Sequence, residues 1–390
     1  MRQVERAIFD IRRGLPVLLR DDDHDTLVQP IETVDEQTLR YLAGAAGESP
    51  VLVLTRHRLA LLGHAIDADV ACLPLDALFT HHSDDSSPVD SLDTLLHTLA
   101  YARDSEPPLH TPSAAARADH AALALMRRAL LIPAALTARV AAKRRATIEA
   151  LVEDGTLLAV SARQAVRCAE GTTGLLKRVS EADIPLAAAE RTRFILFREP
   201  DGLREHVAVV IGDPTQWRDA VPVRLHSACL TGDLFGSLRC DCGEQLRNGV
   251  ASIAAMGGGI LLYLAQEGRG IGLANKLRAY RLQDEGLDTV DADQVLGFGE
   301  DERHYAVALD MLVELGIRRI QLLTNNPRKI EAMSQGGIEV VDRQALFGRL
   351  TAQNYRYLNA KATRSGHMLG GVFDGQEAGT SAARDTTTSK

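Results

Sequence analysis

The chain has 390 residues, 45% of them hydrophobic, and a formal net charge of -8. Its length suits two ordinary domains, and its apolar content a packed core. The acidic balance excludes a dedicated nucleic-acid binder, which carries a basic surplus, but leaves room for a local basic pocket.

The opening MRQVERAIFDIRRGLPVLLR has charges throughout and no apolar h-region, so it does not read as a secretory signal. No stretch approaches the ~18 apolar residues of a membrane span. The expected location is the cytoplasm, where thiols stay reduced and a disulfide framework is disfavoured. Strand-like runs are expected at Pro16–Leu19 and Pro50–Leu54, and His81–Ser91 (HHSDDSSPVDS) as an exposed loop. An Ala-rich helical region follows at about Ala114–Leu151, broken near Pro133. Around Pro185 the texture changes to short β-rich runs, RTRFILFRE, HVAVVIG and VPVRLHS. This puts a domain boundary at residues 185/186.

Beyond it the pattern is α/β. CGEQLRNGVASIAAM suits a helix with Leu246, Val250, Ile253 and Ala254 on one face, and Ile260–Leu264 a buried strand. Helices are expected at Leu273–Asp284 and Asp301–Leu315, and strands at Ile320–Thr324 and Ile338–Val341. Pro327 stands where a helix tolerates proline, in its first turn. Residues 371–390 lack an apolar pattern and read as a disordered tail.

Three of the five cysteines fall within fourteen residues, Cys229, Cys240 and Cys242. Three thiolates with no fourth ligand at the usual spacing suit a catalytic zinc that keeps a position open for water. Three core cysteines, or a structural site completed by His226 or a distant residue, fit the spacing equally well. Gln266–Gly272 (QEGRGIG) lies between a strand and a helix, where glycines admit close backbone approach and Arg269 can meet a phosphate. It lacks the full dinucleotide fingerprint, and an ordinary strand-to-helix turn is the plainer reading. LLTNNPRKIE repeats the geometry with Thr324 and Lys329, against the alternative of a capped helix with solvated cations. GFGEDERHY offers Asp301 and Arg303 at a helix start, against the alternative of a solvated first turn. Together these describe a soft-metal site and two anion-binding turns, a combination that fits metal-assisted hydrolysis of a phosphorylated substrate.

At this point the string VRLHSACLTGDLFGSLRCDCG, YLAQEGRGIGLANKLRAYRLQD, DTVDADQVLGFGEDER and LLTNNPRKIE closely resembles GTP cyclohydrolase II, from about Arg193 to Leu369. The resemblance implies an α/β (α+β) fold, with residues 186–370 as the catalytic domain. It implies one catalytic Zn2+ per subunit on Cys229, Cys240 and Cys242, and Mg2+ with the GTP triphosphate. It implies catalytic roles for Arg303 (attack on the α-phosphate), Asp301 (proton acceptor) and Tyr280 (orientation at the reacting centre). GTP contacts carry over to Arg224, His226, Ser227, Gln245, Glu267, Gly268, Arg269, Thr289, Thr324 and Lys329. The products would be 2,5-diamino-6-ribosylamino-4(3H)-pyrimidinone 5′-phosphate, formate and pyrophosphate, in the first step of riboflavin synthesis. The partner set it implies is GTP and a second copy of the chain, with no nucleic acid and no membrane. One position departs from the family pattern: Ala228 stands where glutamate is usual in HSEC.

The first 185 residues resemble a degenerate 3,4-dihydroxy-2-butanone 4-phosphate synthase. The carriers are IRRGLPVLLRDDDHDTLVQPIETVDEQTLRYLAG and RADHAALALMRRALLIPAAL, with His120 near that family's histidine. Thr26, Val28 and Pro30 occupy later acidic positions of the family's metal loop, which implies a non-catalytic half. The runner-up function is a paralogue with an altered product or pathway. A non-catalytic guanine-nucleotide sensor is the alternative from a different class.

Overall fold

The computed structural model describes residues 2–75, 92–103, 111–169, 174, 176–348, 351, 354, 355, 364, 366 and 368. The expected loop at 81–91 and the expected tail at 371–390 lie outside them. The chain folds into two compact units, Met1–Thr172 with Gly270–Glu302, and Thr173–Arg269 with Arg303–Lys390. Residues 270–302, which the sequence reading assigns to the C-terminal domain, thus fold with the N-terminal half.

The first unit holds a seven-stranded sheet ordered Ser113–Ala114, Val70–Pro74, Val51–Thr55, Ala135–Arg139, Thr26–Pro30, Val17–Arg20, Leu158–Ser161. Local chemistry sets its helices. Arg2–Arg12 buries Val4, Ala7, Ile8 and Ile11, a 3.6-residue stripe. Glu36–Ala46 is capped by Asp35, which accepts from the Thr38 N–H at 2.7 Å, and it stops at Gly47 with φ 74°. The Ala-rich region corrects the sequence reading. It contains the helix Arg117–Arg128, then the strand Ala135–Arg139, then the helix Arg145–Glu153. Ala135–Arg139 pairs antiparallel with both Thr26–Pro30 and Val51–Thr55. A central ladder with partners on both sides outweighs the helix preference of alanine.

The second unit is a mixed seven-stranded sheet ordered Glu339–Gln344, Arg319–Leu323, Val221–Ser227, Gly259–Leu264, Glu205–Ile211, Thr192–Arg198, Lys177–Asp183. The first four strands run parallel and the rest antiparallel. Val221–Ser227 is buried along almost its whole length, as a parallel strand covered on both faces should be. One face carries Val210, Val223, Leu262, Met311 and Ile320, the other Val209, Val250, Ile253 and Leu261. The edge strand Lys177–Asp183 was not foreseen; it is exposed throughout and charged, a guard against edge pairing. It moves the start of the C-terminal sheet about ten residues ahead of the expected boundary.

Most C-terminal expectations match the elements found. The helices Leu273–Asp284 and Cys242–Ala255 form, and Pro327 opens the helix Pro327–Gln335. One does not: the helix expected from Asp301 begins at Ala306, so Asp301 and Arg303 precede it in irregular backbone. Among the described residues, no helix is long and apolar enough to cross a membrane.

Candidate active site

Three neighbouring parallel strands, Arg319–Leu323, Val221–Ser227 and Gly259–Leu264, end on the same edge of the second sheet. Parallel strands that end together deliver their following loops side by side, which is where α/β sheets take ligands. The three loops here are the cysteine stretch, the Gln266–Gly270 turn and the Thr324–Asn326 turn, so motifs distant in sequence become adjacent.

The cysteine loop leaves Ser227 and closes on itself. Cys229, Cys240 and Cys242 bring their sulfurs within 4.8 Å of one another, and Cys229 and Cys240 Sγ lie 3.7 Å apart. Sulfurs at tetrahedral corners about 2.3 Å from zinc are about 3.8 Å apart, so this pair is already at ligand spacing. Close approach depends on Gly232. A Cβ there would sit 2.7 Å from Cys240 Sγ and 3.1 Å from Cys229 Sγ. Gly243 is equally constrained, since its Cβ would lie 2.2 Å from the Gly232 carbonyl oxygen. The Cys240 thiol is pushed above its ordinary pKa, chiefly by the Cys229 thiol beside it. Soft donors, sulfur spacing and a glycine-lined cradle all fit a soft divalent ion.

A carboxylate that the sequence reading missed organises this loop. Asp233 accepts from the Cys229 N–H at 2.9 Å, from the Tyr263 hydroxyl at 3.0 Å and from His226 Nε2 at 3.1 Å. Its side chain is only 7% exposed. An ionised carboxylate is acceptor-only, which sets the His226 tautomer with its proton on Nε2. Burial keeps His226 below its ordinary pKa, partly offset by Asp233, and the ring stacks on Tyr263 at 5.6 Å. The available signal was the spacing in CLTGD, which sets Asp233 four residues after Cys229. Glu267 gives the loop a second carboxylate, accepting from the Leu230 N–H at 2.6 Å. The loop therefore has two carboxylates on its backbone despite Ala228, whose own N–H donates to the Leu264 carbonyl at 2.8 Å.

Beside the sulfurs, Arg224 is buried and donates to Gln245 Oε1 at 2.7 Å and to the Leu323 carbonyl at 2.9 Å. Its Nε has no hydrogen-bond partner among the described residues, nor does the buried Ser227 hydroxyl. Desolvation lowers the Arg224 pKa to about 10, so the group stays cationic at neutral pH. Gln245 continues the chain by donating to Asp241. Lys329, also buried, donates to the Leu225 carbonyl at 2.7 Å, and Thr324 Oγ1 accepts from the Asn326 N–H at 3.0 Å.

The turn after Gly259–Leu264 is left-handed at successive residues, with φ 63° at Gly268, 59° at Arg269 and 98° at Gly270. Glycine takes that conformation freely; an arginine there is strained, a feature that clusters at functional sites. Gln266, also missed, donates to the His304 carbonyl at 2.6 Å. It thereby ties the strand end to the segment of Arg303, whose guanidinium lies 5.8 Å from the Tyr305 ring centre.

The expected residues do not all fall in one unit. The three cysteines, Arg224, His226, Ser227, Gln245, Glu267, Gly268, Arg269, Arg303, Thr324 and Lys329 belong to the second. Tyr280, Thr289 and Asp301 belong to the first, in the Gly270–Glu302 segment. There Tyr280 receives the Lys276 ammonium 5.5 Å from its ring centre, and Thr289 opens the helix Thr289–Val295 behind the cap Asp288.

Residues 177–345 match the sequence profile of the GTP cyclohydrolase II family. The chain is 41% identical to the GTP cyclohydrolase-2 of Azospirillum brasilense, over 95% of this chain and 94% of that protein. It is 43% identical to the GTP cyclohydrolase-2 of Xylella fastidiosa strain Temecula1, over 94% of this chain and 87% of that one. A shorter GTP cyclohydrolase-2, from Pseudomonas paraeruginosa, is 50% identical over 51% of this chain and 96% of its own length. The solved two-domain 3,4-dihydroxy-2-butanone 4-phosphate synthase RibBX from A. baumannii covers 88% of this chain and 99% of its own at 18% identity. Its TM-score of 0.34 is too low to equate the two folds. Identity of this order along nearly the whole chain, added to the matched profile, gives the family: the chain belongs to GTP cyclohydrolase II.

Proposed function

We propose that the chain is a zinc-dependent GTP cyclohydrolase. It converts GTP to 2,5-diamino-6-ribosylamino-4(3H)-pyrimidinone 5′-phosphate, formate and pyrophosphate, in the first step of riboflavin synthesis. The observation that carries the reading is the convergence of the Cys229, Cys240 and Cys242 sulfurs within 4.8 Å. Those three residues would hold the ion, which when bound supplies Lewis acidity for hydrolysis at C8 of the guanine.

The chain's own residues do the rest. Arg303 attacks the α-phosphorus: a P–N bond forms, the P–O bond to pyrophosphate breaks, and Asp301 takes the guanidinium proton. Arginine is a poor nucleophile while protonated, so a carboxylate two residues away suits the step. Water later cleaves the P–N bond and restores Arg303. Two further waters are consumed, one opening the imidazole and one releasing formate. Arg224, Arg269 and Lys329 supply positive charge for the triphosphate, with Mg2+ accompanying it. The buried Nε of Arg224 and hydroxyl of Ser227, without partners among the described residues, support a polar ligand at this edge. Glu267 accepts from the guanine N–H edge, Tyr280 orients the base, and His226, Gln245, Gly268, Thr289 and Thr324 complete the contacts. The active species is a cytoplasmic homodimer.

The N-terminal half carries no synthase activity in this reading. Asp21 and Asp22 of its acidic stretch pair with Arg117 at 2.8 and 3.1 Å, and Asp22 with Arg163 at 3.1 Å. Arginines thus partner two acids of the stretch that resembles the family's metal loop.

The test incubates the full-length protein with GTP, Mg2+ and Zn2+ and quantifies formate, pyrophosphate and the nucleotide product. Equimolar formate and pyrophosphate are expected. Formate alone would indicate a paralogue with another product, and GTP binding without formate at full zinc occupancy a sensor. Cys240→Ser is expected to lose zinc and formate release together; turnover at the wild-type rate in that variant would sink the metal assignment.

A further inference from the structure

The Gly270–Glu302 segment is built into the N-terminal half. Ile271, Leu282, Val295 and Phe298 share one buried cluster with Leu54, Leu59 and Leu99. The polar ties are more specific. Thr55 Oγ1 donates to the Gly297 carbonyl at 2.8 Å, and Asn275 Nδ2 to the Leu130 carbonyl at 3.1 Å. Arg278 donates to Glu32 at 2.6 Å, while the other Glu32 oxygen accepts from the Ile132 N–H at 2.7 Å.

Arg58 is the costliest of these ties to bury. It is 1% exposed and donates to the Val295 carbonyl at 3.2 Å and to the Thr98 and Leu99 carbonyls at 2.8 Å each. Burying a guanidinium is expensive, and an apolar side chain would fill the volume at less cost. What the arginine adds is direction. It joins the carboxyl ends of two helices, Leu92–Tyr101 and Thr289–Val295, where the backbone presents carbonyls at the negative end of each helix dipole. The backbone fit is as close: a Cβ on Gly297 would meet Thr55 Oγ1 at 3.3 Å, and one on Gly272 would meet Leu130 Cβ at 3.2 Å.

We propose that Glu32, Thr55 and Arg58 are positioning residues for GTP opening, acting through the Gly270–Glu302 segment on Tyr280, Thr289 and Asp301. This rests on the functional reading above for the roles of those three residues. It gives the N-terminal half a task that needs no chemistry of its own: setting the backbone from which substrate-handling side chains project. Reaction rates are sensitive to displacements of about 1 Å, so loosening this frame acts on substrate handling before it unfolds the chain.

The experiment uses full-length Thr55→Val, Thr55→Ser and Glu32→Gln beside the wild type. It reads the GTP KM and kcat, the zinc content, and backbone hydrogen exchange over residues 273–295. Thr55→Val and Glu32→Gln are expected to lower kcat/KM roughly tenfold, on the scale of sub-ångström misplacement, with zinc content unchanged. Amides of 273–295 should exchange faster in both, and Thr55→Ser, which keeps the donor, should restore both readouts. A fall in kcat with exchange over 273–295 at the wild-type value would mean lost folded protein and would overturn the positioning role. So would wild-type behaviour of both variants. A wild-type chain that neither binds nor opens GTP overturns the functional reading instead, and is distinguished because exchange is measured without GTP.

Discussion

At the scale of single residues, the centre of the cysteine loop is Asp233. One carboxylate receives the backbone N–H of Cys229, the Tyr263 hydroxyl and the His226 imidazole, so it orients the cysteine loop and one wall at once. Groups that orient metal ligands typically contribute 10- to 100-fold to metal affinity. Asp233→Asn keeps the volume but replaces one acceptor oxygen by a donor. Zinc affinity, measured by competition with a chromophoric chelator, should fall by about that range. Retained affinity in a folded variant would show that the loop holds its shape without the carboxylate. Ala228 is a contrast at the same scale. The sequence shows the departure from HSEC plainly, but not that Asp233 and Glu267 both reach the loop backbone.

At the scale of elements, the decisive arrangement is three parallel strands ending on one edge. Each following turn was legible as a separate motif, because glycine clusters and a proline in a first helical turn have local causes. The helix start was misplaced, from Asp301 to Ala306, for a nonlocal reason: the Gln266 amide holds the His304 carbonyl, and Arg303 stays in irregular backbone. Removing that donor should matter. Gln266→Leu leaves the His304 carbonyl without this donor and frees the Arg303 segment, so kcat should fall on the order of tenfold. Zinc content should stay at the wild-type value, since none of the three cysteines is touched. A variant with wild-type kcat would show that Gln266 does not position Arg303.

At the scale of the molecule, the chain divides into units that are not consecutive in sequence, and the segment Gly270–Glu302 belongs with the first. One consequence is a pH dependence that begins in that unit. Burial, helped by Arg56 and Arg127 and opposed by Glu302 and Asp69, holds His57 below its ordinary pKa of 6.5. The unfolded chain then takes up the proton first, so its contribution to stability is complete above pH 6.5 and declines as pH falls toward the folded pKa. The thermal midpoint of the first unit should drop between pH 7.5 and 5.5, and His57→Gln should flatten that drop. An unchanged slope in the variant would exclude His57 as its source.

Much of the chemistry was determined by the sequence alone. Cysteine spacing, the strand–turn–helix motifs and the order of four motifs along the chain are local or linear properties, and they identify the family without coordinates. The tertiary structure decided what depends on partners far apart in the chain. It made Ala135–Arg139 a central strand in spite of its alanines, because two neighbours supply its ladder. It gave Asp233 its three donors and left Arg224 buried with an Nε that has no partner among the described residues. It also assigned Tyr280, Thr289 and Asp301 to the N-terminal half's fold, through hydrogen bonds and apolar contacts between residues more than a hundred positions apart. Periodicity reports which face of a segment is apolar, not which distant segment will cover it.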